Sequence, residues 1–167
     1  MNMPFKDIYR HSSVDVAKYI AARANEEKFG INMTKLQKLL YIVYGAFLRV
    51  YNMRLTDEHP QAWPYGPVFP TTRNKLLKEN LSGITLDQVN AEVKEDACVE
   101  RIATFVFNRF STWNAGQLSE WSHQDGSPWA FTKNQPGFKW GQQINDEVIY
   151  DYFLKIVKVD EQGDDRR

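Results

Sequence analysis

Cysteine is nearly absent from this chain: Cys98 stands alone among 167 residues. That excludes an internal disulfide and a structural zinc site built on thiolates, and it suits a reducing compartment. Histidine is scarce as well, and His11 and His59 have no partners at metal-ligand spacing, so no metal is expected. The glycines at 66, 83, 116, 126, 137 and 141 nowhere form a phosphate-cradling loop, and no cofactor is expected. No apolar run approaches the roughly 18 to 20 residues of a membrane span, and the start of the chain lacks the apolar stretch of a signal peptide. The expected location is cytoplasmic, with no membrane partner. An excess of one charge is also missing. Twenty-one basic side chains offset twenty-one acidic ones, so there is no electrostatic footprint for nucleic acid. Internal repeats and low-complexity tracts are absent too.

What is present is ample apolar material, 43% hydrophobic and 14% aromatic. The reading is mainly α: one compact helical bundle over residues 1–159, a small β-hairpin at about 55–68, and a disordered charged tail over 160–167. Phe5, Ile8 and Tyr9 of the lead-in are expected to pack back. Ser12 starts a first helix whose Val14, Ala17, Ile20, Ala21 and Ala24 face inward, with Gly30 as its stop. From Thr34 to Tyr51, apolar residues recur at three-and-four spacing (Leu36, Leu39, Leu40, Val43, Phe47, Val50), which predicts a long amphipathic helix. Thr34 and Gln37 have the pattern of a capping box. Gly45 in mid-helix costs roughly 1 kcal/mol against alanine, an expense that a close backbone approach would explain. Asn52 suits the C-terminal stop.

The segment after that helix, AWPYGPVFP, carries prolines at 64, 67 and 70 around Trp63, Tyr65, Gly66 and Phe69. Prolines at that density make an ordered, low-entropy loop. Beyond it, a short helix is expected to turn Leu76 and Leu77 inward. Thr85 and Gln88 then open a helix to Phe110, with a break within its charged first part left open and an inward stripe of Cys98, Ile102, Phe105, Val106 and Phe110. Leu118 to His123 forms a short helix, Ser127-Pro128-Trp129 a sharp exit, and residues 132–141 a loop. Asn145 caps a last helix with Val148, Ile149, Tyr152, Phe153 and Ile156 inside.

Two motifs in this order, KLQKLLY at Lys35 to Tyr41 and AWPYGPVFP at Ala62 to Pro70, resemble the Panacea antitoxin domain family of SocA-like and GepA-like phage-associated proteins. DVAKYI near the start, LSEWSHQDGSPW and INDEVIYDYF extend the resemblance over nearly the whole chain, with Ser122 where the family usually has threonine. The resemblance implies an antitoxin that neutralises a cognate protein toxin by direct binding. It also leaves open an adaptor delivering a toxin to a AAA+ protease, or a phage protein that binds a host factor.

Ser122, His123 and Asp125 are the residue types of nucleophilic catalysis, but chain neighbours cannot form a hydrogen-bonded triad. His123 is expected to be a partly buried histidine bonded to the loop of Pro128 and Trp129, as buried polar groups commonly are. A small hydrolase using His123 is the rival reading, and the chain is expected not to be an enzyme. The expected partner surface is Lys35, Lys38, Trp63, Tyr65, Gly66, Pro67 and Phe69, forming or bracing the toxin contact. The aromatics on a proline-braced loop would be its anchors, and the lysines would steer it toward an acidic patch. For Trp63 the alternative is that it plugs its own domain.

Overall fold

Helix α2, Met33–Tyr51, runs through the middle of the molecule. All of its residues from Lys35 to Leu48 are buried, so burial extends beyond the expected apolar stripe to every side, Lys35, Gln37 and Lys38 included. A helix buried on all sides is the core of the domain rather than a surface element. Around it pack α1 (Ser13–Glu26), α5 (Ala97–Phe110), α6 (Ala115–Ser122) and α8 (Asp146–Ile156). The computed structural model describes residues 9–158. The expectations for Phe5, Ile8 and the tail from residue 160 lie outside them, and Tyr9 is half-exposed rather than packed in.

The fold is mainly α, with two small two-stranded sheets among the described residues. The hairpin is there but shorter than expected. Strand β3 (Gln61–Trp63) pairs antiparallel with β4 (Gly66–Val68), while β2 (Arg54–Thr56), which holds Leu55, pairs parallel with β1 (Tyr9–His11). Asn52 ends α2 in the left-handed region at φ 53°, a conformation asparagine tolerates better than most residues. Gly45 sits where α8 crosses α2. A Cβ there would lie 2.5 Å from Phe153 Cζ, which is the close approach that its helix cost implied.

Several boundaries moved. The cap of α2 is Asn32, whose side chain accepts from the Lys35 amide at 2.8 Å; the Thr34–Gln37 box does not form, because the helix starts at Met33 and Thr34 lies inside it. Helix α1 ends at Glu26, four residues before Gly30, and its inner face includes Val16 and Tyr19 while Val14 is only partly buried. Leu76 is inside but Leu77 is 53% exposed, since α3 (Pro70–Leu76) ends before the second leucine. The Thr85–Gln88 capping box exists but closes a single 3-10 turn. The chain then passes through α4 (Ala91–Lys94) and restarts at Asp96, whose carboxylate caps α5 through Cys98 N at 2.9 Å. Ser127-Pro128-Trp129 is not an exit but the start of α7 (Pro128–Lys133), with Ser127 as cap and Pro128 in the first turn, where its missing N–H is no loss.

Candidate functional site

The two motifs that stand apart in sequence meet in space. The hairpin turns at Pro64 and Tyr65, and Gly66 follows with φ +119°, a backbone region closed to most side chains. Space demands glycine there as well: a Cβ would lie 2.6 Å from Ser122 Oγ and 2.9 Å from Lys38 Cε. Four side chains then hold the hairpin by its backbone. Lys38 Nζ donates to the Pro67 carbonyl at 2.9 Å, and Gln37 Oε1 accepts from the Phe69 amide at 2.7 Å. Ser119 Oγ on α6 donates to the Tyr65 carbonyl, and Trp129 Nε1 on α7 donates to the Trp63 carbonyl at 2.7 Å. The outer side of β3 is paired too, with Ala62 N donating to Gln142 O at 2.8 Å and Gly141 N to Ala62 O at 2.9 Å.

Among the described residues Lys38 has no carboxylate partner. Its residue surface is 2% exposed, and burial pushes its ammonium down to about 8. A desolvated cation held by one carbonyl is costly, so its role here is to fix β4 at a set height on α2. Lys35 is also buried. Its Nζ donates to the Ser111 carbonyl at 2.7 Å and lies 4.8 Å from the centre of the Phe29 ring, and burial again lowers it.

Burial sorts the seven partner-surface residues. Lys35, Lys38, Gly66, Pro67 and Phe69 are all inside. Trp63 is half-buried, with the Arg73 guanidinium 5.7 Å from its ring centre and its indole N–H bonded to Gln61 at 3.1 Å. Tyr65 is 78% exposed, the most open large hydrophobic residue among those described. Trp129 is buried as a structural post under the hairpin.

Ser122, His123 and Asp125 do not assemble. Ser122 Oγ donates to the Ser119 carbonyl at 2.8 Å, and Asp125 is exposed. His123 Nδ1 is buried without a hydrogen-bond partner, and the ring packs 5.2 Å from Trp129; it meets that segment by ring contact rather than by the expected bond. Among the described residues no group of His, Cys, Asp and Glu has the arrangement of a metal site, and no helix is long and apolar enough to cross a membrane.

Sequence reasoning missed the roles of Gln37 and Ser119. Gln37 was visible in its motif but read as a cap; Ser119 carried no signal at all. Also unforeseen is a polar cluster two turns further along α2, where Tyr44 meets the Phe69 ring at 5.6 Å. Tyr44 OH donates to Asp146 Oδ1 at 2.5 Å, and Arg54 Nη1 lies 2.9 Å from His59 Nε2. Burial, with Asp146 beside it, pushes the Tyr44 phenol well up. This cluster ties the start of α8 to α2.

The SocA-like antitoxin, Panacea domain model matches residues 36–130. The chain is 29% identical over 153 residues, 83% of its own length and 80% of the relative's, to the protein named antitoxin SocA from Caulobacter vibrioides strain NA1000 / CB15N. No solved structure matches. The matched span exceeds half of the chain and holds all four clamping side chains, Gln37, Lys38, Ser119 and Trp129; the chain belongs to the SocA-like family of Panacea-domain antitoxins.

Proposed function

We propose that this protein is the antitoxin of a toxin–antitoxin pair, acting in the cytoplasm, and that it neutralises a cognate protein toxin by direct binding through the tip of the β3–β4 hairpin. One observation carries the reading. The backbone around the tip is gripped by side chains from α2, α6 and α7, while the Tyr65 ring itself points into solvent. A backbone fixed in advance loses little conformational entropy on association, and an exposed aromatic held in that way has the character of a binding hot spot. Nothing in this mode of action requires chemistry from the chain: a bound toxin is occluded or kept in an inactive conformation.

The test is capture of the product of the adjoining gene by the parent and by Tyr65→Ala, beside thermal melts of both. Among the described residues Tyr65 makes no side-chain bond that its loss would break, so the variant should melt as the parent does. Its affinity should fall by roughly 2 kcal/mol, about thirtyfold. A variant that folds normally and captures its partner at full strength sinks the proposal.

A further inference from the structure

Helix α6 separates the hairpin tip from a second surface. Ser119 grips the Tyr65 carbonyl on one side of the helix. Trp121, two residues on and therefore about 200° further round, points to the other side. It is half-buried, 5.3 Å from the Phe110 ring and 6.1 Å from the Tyr152 ring. Trp113 stands 5.1 Å from the same Phe110. These two indoles form walls of two adjoining clefts. One, of about 290 Å³, is completed by Gln117, Glu120 and Gln124; the other, of about 360 Å³, by Arg109, Phe110, Lys155 and Ile156.

The charges on the second cleft are unmatched. The Arg109 guanidinium rests 5.7 Å from the Phe110 ring centre. Among the described residues neither Arg109 nor Lys155 has a carboxylate within ion-pair distance. Both are exposed. Aromatic walls under two unpaired cations are complementary to an apolar side chain flanked by carboxylates.

We infer that the toxin-binding surface continues from Tyr65 across α6 into the paired clefts at Trp113 and Trp121. They receive a segment of the toxin with apolar anchors, whose neighbouring acidic residues meet Arg109 and Lys155. This inference rests on the reading of Tyr65 as partner-facing, and its test separates the two.

The variant is the double reversal Arg109→Glu/Lys155→Glu, at exposed positions away from the core. The first probe is 1-anilinonaphthalene-8-sulfonate, which combines aromatic rings with one anion. Its emission, excited through tryptophan, should show binding to the parent and a loss of affinity of about tenfold or more, about 1.4 kcal/mol, in the reversal. The product of the adjoining gene should displace the dye and bind the reversal about tenfold or more weakly. Absence of tryptophan-sensitised dye binding, or dye binding indifferent to the reversal, overturns the inference. So does a partner whose binding needs Tyr65 but ignores the reversal, and in that case the hairpin reading stands. A partner sensitive to the reversal but not to Tyr65→Ala keeps this surface and removes the hairpin. Failure of the product to bind the parent at all removes both. Self-association abolished by the reversal would assign the clefts to a second copy, and tighter dye binding after deletion of residues 159–167 would assign them to the chain's own acidic end; either result overturns the toxin as occupant.

Discussion

Replacing Lys38 by methionine tests the clamp through proton linkage. The substitution keeps an unbranched side chain of similar length but removes the charge and the bond to Pro67. At neutral pH two effects oppose each other. A buried carbonyl losing its donor costs about 1 to 3 kcal/mol. Relief from the buried ammonium, held at about 8 against 10.5 in the unfolded chain, returns roughly 3 kcal/mol at about 1.4 per unit. The net change at pH 7 is therefore small, and the discriminating quantity is its dependence on pH. Because the folded value lies below the unfolded one, the unfolded chain binds more protons between pH 8 and 10.5, and stability rises with pH across that interval. Integrated from about pH 7 to pH 10, the parent should gain about 2.5 kcal/mol relative to Lys38→Met. Denaturant unfolding of both proteins along a pH series measures this difference, in which the titrations common to both, including the raised Tyr41 and Tyr44, cancel. Parallel stability curves would mean that the amine is hydrated. The hairpin would then not close over α2, and the argument for a pre-fixed Tyr65 would fail.

Two further outcomes follow from the packing. Gly45→Ala places a methyl against the Phe153 ring and should destabilise by about 1 to 3 kcal/mol, the usual cost of overpacking, despite the better helix propensity of alanine; a more stable variant in thermal unfolding would show that α8 moves aside freely. Asp96→Ala removes the cap of α5 and the acceptor for Arg10 and His11, and should cost about 1 to 2 kcal/mol from the cap alone. Burial by itself would raise the Asp96 carboxyl, but hydrogen bonds from His11 and Arg10 hold it below its ordinary value. Its contribution is therefore present above the ordinary carboxylate range and is lost as pH falls through the lowered value, and acid titrations of the parent should be steeper than those of the variant.

The amphipathic repeats announced most helices, because burial against a neighbour leaves an apolar period in the sequence. Where they misled, the reason differs from place to place. Leu77 is apolar yet exposed, since hydrophobic content does not say where a short helix ends. Thr34 and Gln37 had the spacing of a cap, but Asn32 caps the helix two residues earlier, and Gln37 bonds the Phe69 amide instead. The parallel pairing of β1 with β2 was invisible, because strands of three residues carry almost no period. At the site, the proline-dense segment is the β3–β4 hairpin, whereas the burial of Lys35 and Lys38 could not be read from lysines on a helix, which usually face water.

The clamp also has an order in time. Two of its four grips, Ser119 on Tyr65 and Trp129 on Trp63, join residues 54 and 66 positions apart. The other two reach back to α2, which is already synthesised when the hairpin emerges. At roughly 5 to 20 residues per second, a ribosome takes roughly 3 to 13 s to add the 66 residues between Trp63 and Trp129. Until Ser119 is added, each nascent chain carries a hairpin gripped from α2 alone, and the last grip waits for Trp129. The four-grip clamp is thus complete only late in translation, with α7, and lags the synthesis of the hairpin itself by seconds.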